Sequence, residues 1–151
     1  MREIKFRAYL VDANKIVNIK TIDWDEDCNI ICINYPDEEG NIISINYPER
    51  KDCLKYEDGI VLMLYTGFKD KDNKEIYEGD VINYRNNLYQ VRWMFLGFYA
   101  HQINGGGFKE LDEFVTDKMD IEVVGNIYEK HWIIRAKVKK RKKLWKLILM
   151  S

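Results

Sequence analysis

The chain has 151 residues with 46% apolar side chains, enough for one domain with a core and an ordinary composition for a soluble protein. No apolar run approaches the roughly 18 residues of a membrane span, and Met1-Arg2-Glu3-Ile4-Lys5 mixes charges where a secretory signal needs an apolar stretch, so the expected compartment is the cytoplasm. The formal net charge of −1 joins two unlike parts: residues 1–134 hold 16 bases and all 25 acids, whereas residues 135–151 hold eight bases and no acid.

Ile4 to Leu10 alternates apolar and charged residues, the period-two pattern of a half-buried strand. Asp12-Ala13-Asn14-Lys15 reads as a turn, and Ile16 to Trp24 alternates again as a further strand. Cys28 to Tyr35 is rich in β-branched residues and stops at Pro36; Ile42 to Tyr47 alternates and stops at Pro48. With the turn chemistry of Asp37-Glu38-Glu39-Gly40-Asn41 between them, these predict a hairpin. Glu49 to Asp58 is polar and reads as a loop or a short helix. Ile60 to Thr66 is a compact apolar run, a buried strand.

Val81 to Tyr84 and Leu88 to Phe95 follow as strands joined at Asn86-Asn87, since asparagine tolerates positive φ in a two-residue hairpin loop. Phe98-Tyr99 is another apolar pair, and Gly105-Gly106-Gly107 is a loop. Residues 108–120 suit a short helix or loop, with Phe108, Leu111, Phe114 and Val115 spaced for one face. Ile121 to Ile127 is a strand interrupted by Gly125-Asn126. Turns about every ten residues between short strands suggest a small barrel or sandwich.

Three cysteines, Cys28, Cys32 and Cys53, are too few and too poorly spaced for a disulfide framework or a zinc site. Asp70-Lys71-Asp72-Asn73-Lys74-Glu75 superficially resembles a calcium loop. Counted from Asp70, however, position 5 is Lys74, position 6 is Glu75 instead of glycine, and position 12 is Val81 instead of a bidentate glutamate. The segment therefore reads as a turn. His101 and His131 have no nucleophile or metal dyad in their sequence context. There is no G-x-S-x-G, H-E-x-x-H or P-loop, and the three glycines lack the Lys-Ser/Thr continuation of a phosphate loop. Neither an enzymatic activity nor a cofactor or metal is expected.

The tail, Arg135 to Ser151, is expected to be a basic amphipathic helix. Its bases Lys139, Lys140, Arg141, Lys142 and Lys143, with Trp145 able to stack, are the candidate partner-binding or nucleic-acid-binding residues. Leu144, Trp145, Leu147, Ile148 and Leu149 also give it an apolar side, too short for more than marginal membrane anchoring. Docking on an acidic body, its own or a twin's, ranks first, nucleic acid second and membrane last.

Three stretches together, MREIKFRAY at the start, YTGFKDKDNKEIYEGDVI in the middle and VVGNIYEKHWII before the tail, resemble the YopX family of phage and prophage proteins. The likeness spans residues 1 to about 134. Family members typically open with MREIKFRAW, carry a YTGLKDKNGKEIYEGD-like centre and close with a VIGNIYENPELL-like strand. This chain departs at Tyr9, where tryptophan is usual, at Asn73-Lys74, where Asn-Gly is frequent, and at Lys130-His131-Trp132. The resemblance implies a phage-encoded accessory protein of the host cytoplasm that self-associates, and it carries over no catalytic residues. Thr66, Gly67, Asp70, Asn73, Gly79, Asp80, Gly125 and Asn126 stand within the shared blocks and read as a structural turn motif, the corners of a barrel.

The expected architecture is mainly β with minor α. An antiparallel sheet region covers about residues 1–60, a small SH3-like β-barrel about 61–134, and the basic helical tail 135–151. The expected function is non-enzymatic binding of protein, as a homo-oligomer or with a phage or host partner; the alternative is nucleic-acid binding through the tail.

Overall fold

The computed structural model describes residues 3–27, 30–46, 59–116 and 120–129. The expected helical tail, the loop from Glu49 to Asp58, Cys28, Cys53 and His131 lie outside the described residues. The fold is mainly β: the described chain forms twelve strands and one short helix, and its antiparallel sheets include one curled into a half-barrel. The chain divides into two compact units, residues 1–65 and 66–151.

In the first unit, β1 (Phe6–Leu10) and β2 (Lys15–Asn18) form a hairpin. Its turn places Asn14 at φ +48°, a conformation asparagine tolerates. The hydroxyl of Tyr9 donates to Asn14 Oδ1 at 2.8 Å. Tyrosine, where the resembled family has tryptophan, thus ties the buried strand to the turn. On its other side β1 pairs with the first half of β6 (Ile60–Lys69).

The single strand expected over Ile16–Trp24 is two strands, β2 and β3 (Thr21–Trp24). Ile19 N donates to Phe6 O and Lys20 N to Asn34 O, so consecutive amides serve two different sheets. The chain turns a corner there, and alternation of side chains does not record a change of hydrogen-bonding partner.

The second sheet has the order β3-β4-β5, with β4 spanning Ile30–Pro36 and β5 Ile42–Asn46. Pro36 ends β4 opposite Ile42, as a residue without an N–H must. The loop is held by Asp37, whose carboxylate accepts from Glu39 N, Asn41 N and Asn41 Nδ2 at 2.9, 2.8 and 3.1 Å. Ala8, Leu10, Val17, Ile33 and Ile60 close together as the core of this unit. Each removes a side chain from water, and full burial of a valine, leucine or isoleucine contributes roughly 1.5–3 kcal/mol.

In the second unit, the later half of β6 lies beside β7 (Glu75–Tyr77). A five-stranded sheet follows, ordered β11-β10-β9-β8-β12. Its strands are β8 (Asp80–Tyr84), β9 (Asn87–Met94), β10 (Gly97–Gln102), β11 (Phe108–Glu110) and β12 (Glu122–Asn126). The β8–β9 loop is Arg85-Asn86, one residue earlier than expected, and both have positive φ, the type I′ pattern that matches strand twist.

The helix expected within 108–120 is shorter, and Phe108 belongs to a strand. α1 (Leu111–Thr116) carries Asp112 and Glu113 in its first turn, where carboxylates oppose the positive end of the helix dipole. Leu111 and Phe114 are buried. The Phe114 ring meets Tyr84 and Tyr89 edge-on, at 5.1 and 5.2 Å, which is the preferred geometry for aromatic pairs.

Register then sorts the side chains. Ile82 faces Tyr89, and Val91 faces Ala100; all four are buried. On the alternate positions Arg92 faces Tyr99, Tyr99 faces Glu110 and His101 faces Phe108. Successive residues of a strand point to opposite faces, so this second set shares the other side of the sheet.

Candidate functional site

Two parts of the second unit concentrate unusual side chains. One is the polar corner built from the turn motif. Thr66 Oγ1 donates to Ile76 O at 2.7 Å and accepts from Phe68 N at 3.2 Å, so this buried threonine fixes β6 against β7. Gly67 follows at φ +88°. Asp70 is buried at the head of the next loop. Its Oδ1 accepts from Asp72 N and Lys74 N, both at 2.9 Å, and its Oδ2 accepts from Val123 N at 3.0 Å. Asn73 takes φ +64° within the loop.

Asp80 makes the second knot. Its Oδ2 accepts from Tyr77 N at 2.8 Å and its Oδ1 from Asn126 Nδ2 at 3.1 Å. Asn126 Oδ1 in turn accepts from Tyr128 N. Gly79 has φ +82°; its N donates to Val91 O and its O accepts from Ile127 N. A side chain there would meet a left-handed backbone that favours glycine. Gly125 stands at a bulge where the β12 register shifts. The fold thus brings the central block and the closing block of the sequence into one hydrogen-bonded corner.

These carboxylates act as backbone acceptors. Both oxygens of Asp70 hold backbone N–H groups. Among the described residues, no group of three or more His, Cys, Asp or Glu is placed to hold a metal ion. The Lys71–Asp120 ion pair beside the loop is 3.8 Å long and mostly exposed, a geometry that contributes little.

The second part escaped the sequence reading. Phe95, expected to end a strand, instead opens a two-residue hairpin loop with Leu96 between β9 and β10. The two side chains are 75% and 95% exposed. Phe95 has φ +55°, while Leu96 does not share a positive φ. Positive φ at the first loop position alone is the pattern of a type II′ turn, where glycine is the usual residue. A bulky aromatic there is an outlier.

Behind the tip, Phe95, Tyr99 and Phe108 cluster with ring centroids 5.8 to 6.4 Å apart. Phe108 is half exposed, as is Trp93, which packs edge-on against Phe98. Tyr99 OH donates to Glu110 Oε1 at 3.5 Å. Burial among these neighbours, then the carboxylates of Glu110 and Asp112, raise the Tyr99 phenol above its ordinary pKa. The signal in the sequence was the unbroken run Trp93-Met94-Phe95-Leu96-Gly97-Phe98-Tyr99, in which a turn has no polar residue to mark it.

His101 lies on the same face as Phe108. Cys32, in β4, is a free thiol whose Sγ lies 3.7 Å from Asn34 Oδ1. The tail residues Lys139, Lys140, Arg141, Lys142, Lys143 and Trp145 lie outside the described residues. Among the described residues, no helix is long and apolar enough to cross a membrane.

The fold is similar to that of a solved structure, protein EF1440 from Enterococcus faecalis. The TM-score is 0.59 at 22% identity, and the match covers 85% of this chain and 96% of that one. At that identity the likeness speaks for the fold alone. No curated protein matches the chain. The family described as YopX protein matches residues 5–132, a span that includes the strands, the polar corner and the aromatic hairpin. The chain belongs to the YopX family.

Proposed function

We propose that this chain is a non-enzymatic phage or prophage accessory protein that works in the host cytoplasm by binding protein, including copies of itself. One observation carries the reading: the acids and amides of the turn motif hold the protein's own backbone and each other, while the aromatic tip at Phe95 and Leu96 faces solvent. Polar groups engaged in this way support shape, and exposed aromatic clusters mark interaction surfaces. The opposite charges of residues 1–134 and of the tail add an attraction between copies.

The test is the light-scattering mass of the full chain across a concentration series. The expected result is a mass above that of one chain. A strict monomer at working concentration, with no protein partner retained, would sink the reading.

The second reading is nucleic-acid binding through the tail, supported by eight bases without an acid from Arg135 onward. Six or more phosphate contacts would weaken binding by roughly 10³-fold or more between 50 and 200 mM salt. Binding insensitive to salt would exclude it.

A further inference from the structure

The exposed tip joins a strained backbone to apolar side chains left in water. The adjacent β8–β9 hairpin uses Arg85-Asn86, both in the left-handed region. The β9–β10 hairpin places Phe95 in that region and exposes Leu96 beside it. Holding a non-glycine residue there costs roughly 1–2 kcal/mol, and the exposed side chains recover little of it by burial. Strain of this kind accumulates where a segment is shaped for something outside itself.

The groups around the tip narrow its occupant. Glu110 accepts from Tyr99, Asp112 stands close enough to act on the same ring, and Glu78 Oε1 accepts from Trp93 N. Arg92 faces Tyr99 across the strands, and Lys109 lies over the Phe114 ring. Residues 66–129 together carry 12 acids against seven bases. Such a surroundings repels a phosphate backbone and favours an apolar segment that is itself basic. The sequence supplies one: Leu144, Trp145, Leu147, Ile148 and Leu149, preceded by Lys139-Lys140-Arg141-Lys142-Lys143.

The place where the described chain ends agrees. Ile127 N donates to Gly79 O, and Gly79 N donates to Val91 O. The last described strand therefore ends beside β9, only a few residues from the Phe95 tip. Four strand residues, from Val91 to Phe95, span about 13 Å. The segment from Lys130 to Leu144 extends to roughly 50 Å, ample to reach its own tip or that of a neighbouring copy.

We propose that the hairpin tip of Phe95 and Leu96, with Tyr99 and Phe108 behind it, is the docking site for the C-terminal segment Arg135–Ser151 of this chain. Docking buries the apolar side of the segment on the rings and sets its bases near Glu78, Glu110 and Asp112. The inference deepens the self-association reading and rests on it for its biological sense, since a segment exchanged between copies joins them.

The test uses the full chain with Leu96 replaced by a benzophenone amino acid, photolysed and mapped by mass spectrometry. The expected cross-linked peptide comes from residues 135–151. Cross-links to the 93–108 region of another copy, to nucleic acid or to lipid, or none at all, overturn the proposal. A 1:1 mixture of ¹⁴N and ¹⁵N chains separates the two readings. Tail cross-links of mixed label support both. Tail cross-links within one label only keep the docking site and remove its part in self-association. An oligomer without tail cross-links keeps self-association and removes the docking site. The double variant F95G/L96N gives an independent check: glycine at the first position suits a loop with positive φ there alone, so the hairpin is retained while the tip is lost. Tryptic cleavage at Lys139–Lys143 is expected to be about 10-fold faster in that variant, as for a segment released from protection. Equal rates overturn the proposal.

Discussion

The Asp70 loop and the Phe95 tip are both short connections between neighbouring strands, and they use their side chains in opposite ways. Asp70 turns inward and accepts three backbone amides, one of them from Val123, 53 residues away. Its left-handed position is filled by Asn73, which tolerates it. The Phe95 tip exposes both of its side chains and holds a phenylalanine at φ +55°. The first loop is explained by what it holds together. The second leaves two apolar side chains in water. Acidic turn residues invite a functional reading and here hold backbone amides, whereas an apolar turn hidden in a strand-like run exposes its side chains.

The comparison breaks most readily at Asp80. Asp80→Ala removes the acceptor of Tyr77 N and of Asn126 Nδ2, all within a buried corner. Depriving buried donors of a charged acceptor costs about 3 kcal/mol, expected as a lower denaturation midpoint with an unchanged slope. Asp80→Asn keeps one oxygen and should lose less. If the alanine variant were as stable as the wild type, the corner would not be structural and the turn motif would need another purpose.

Asp70→Ala should cost less, about 2 kcal/mol, although Asp70 makes more bonds. Two of its donors belong to Asp72 and Lys74, which are exposed, so water can replace the carboxylate there. Only the bond to Val123 N is buried. Added calcium is expected to leave the wild-type denaturation midpoint unchanged; a rise with calcium would reverse the reading of the loop.

These residues also mark what a sequence can and cannot disclose. Asp, Asn and Gly announce turns by local chemistry, so Asp70, Asn73, Gly79 and Asp80 were legible as corners. That Asp70 reaches Val123 and Asp80 reaches Asn126 was not, because those contacts depend on how distant strands are laid together. Alternation located β1 and β5, and β-branched richness located β4, but alternation ran straight through Ile19-Lys20, where the chain changes sheets without disturbing the pattern. The tip was missed for the opposite reason: Trp93 to Tyr99 is apolar at every position except Gly97, and periodicity cannot place a turn where nothing alternates.

At the tip the expected effect reverses sign. F95G/L96N puts glycine at the one strained position, and relief of that strain should raise stability by about 1 kcal/mol. The check is chemical denaturation of the double variant against the wild type. A loss of 1 kcal/mol or more would mean that Phe95 supports the hairpin through its contacts with Tyr99 and Phe108, and the contrast with Asp70 would close.

The smallest effect belongs to the Asp37 loop in the first unit, the same device as Asp70 but exposed to water. The side-chain bond from Asn41, followed by the backbone N–H groups, holds the Asp37 carboxyl below the ordinary carboxylate range. A group depressed in the folded state contributes stability that is fully present above its unfolded pKa, about 3.9, and is lost as pH falls through the folded value. The stability gap between wild type and Asp37→Ala should therefore stay constant from neutral pH down to about 5 and narrow on further acidification. Because solvent screens the site, the gap should be small beside that of Asp70→Ala. A gap that widened in acid would show that the protonated carboxyl, and not the carboxylate, holds the turn.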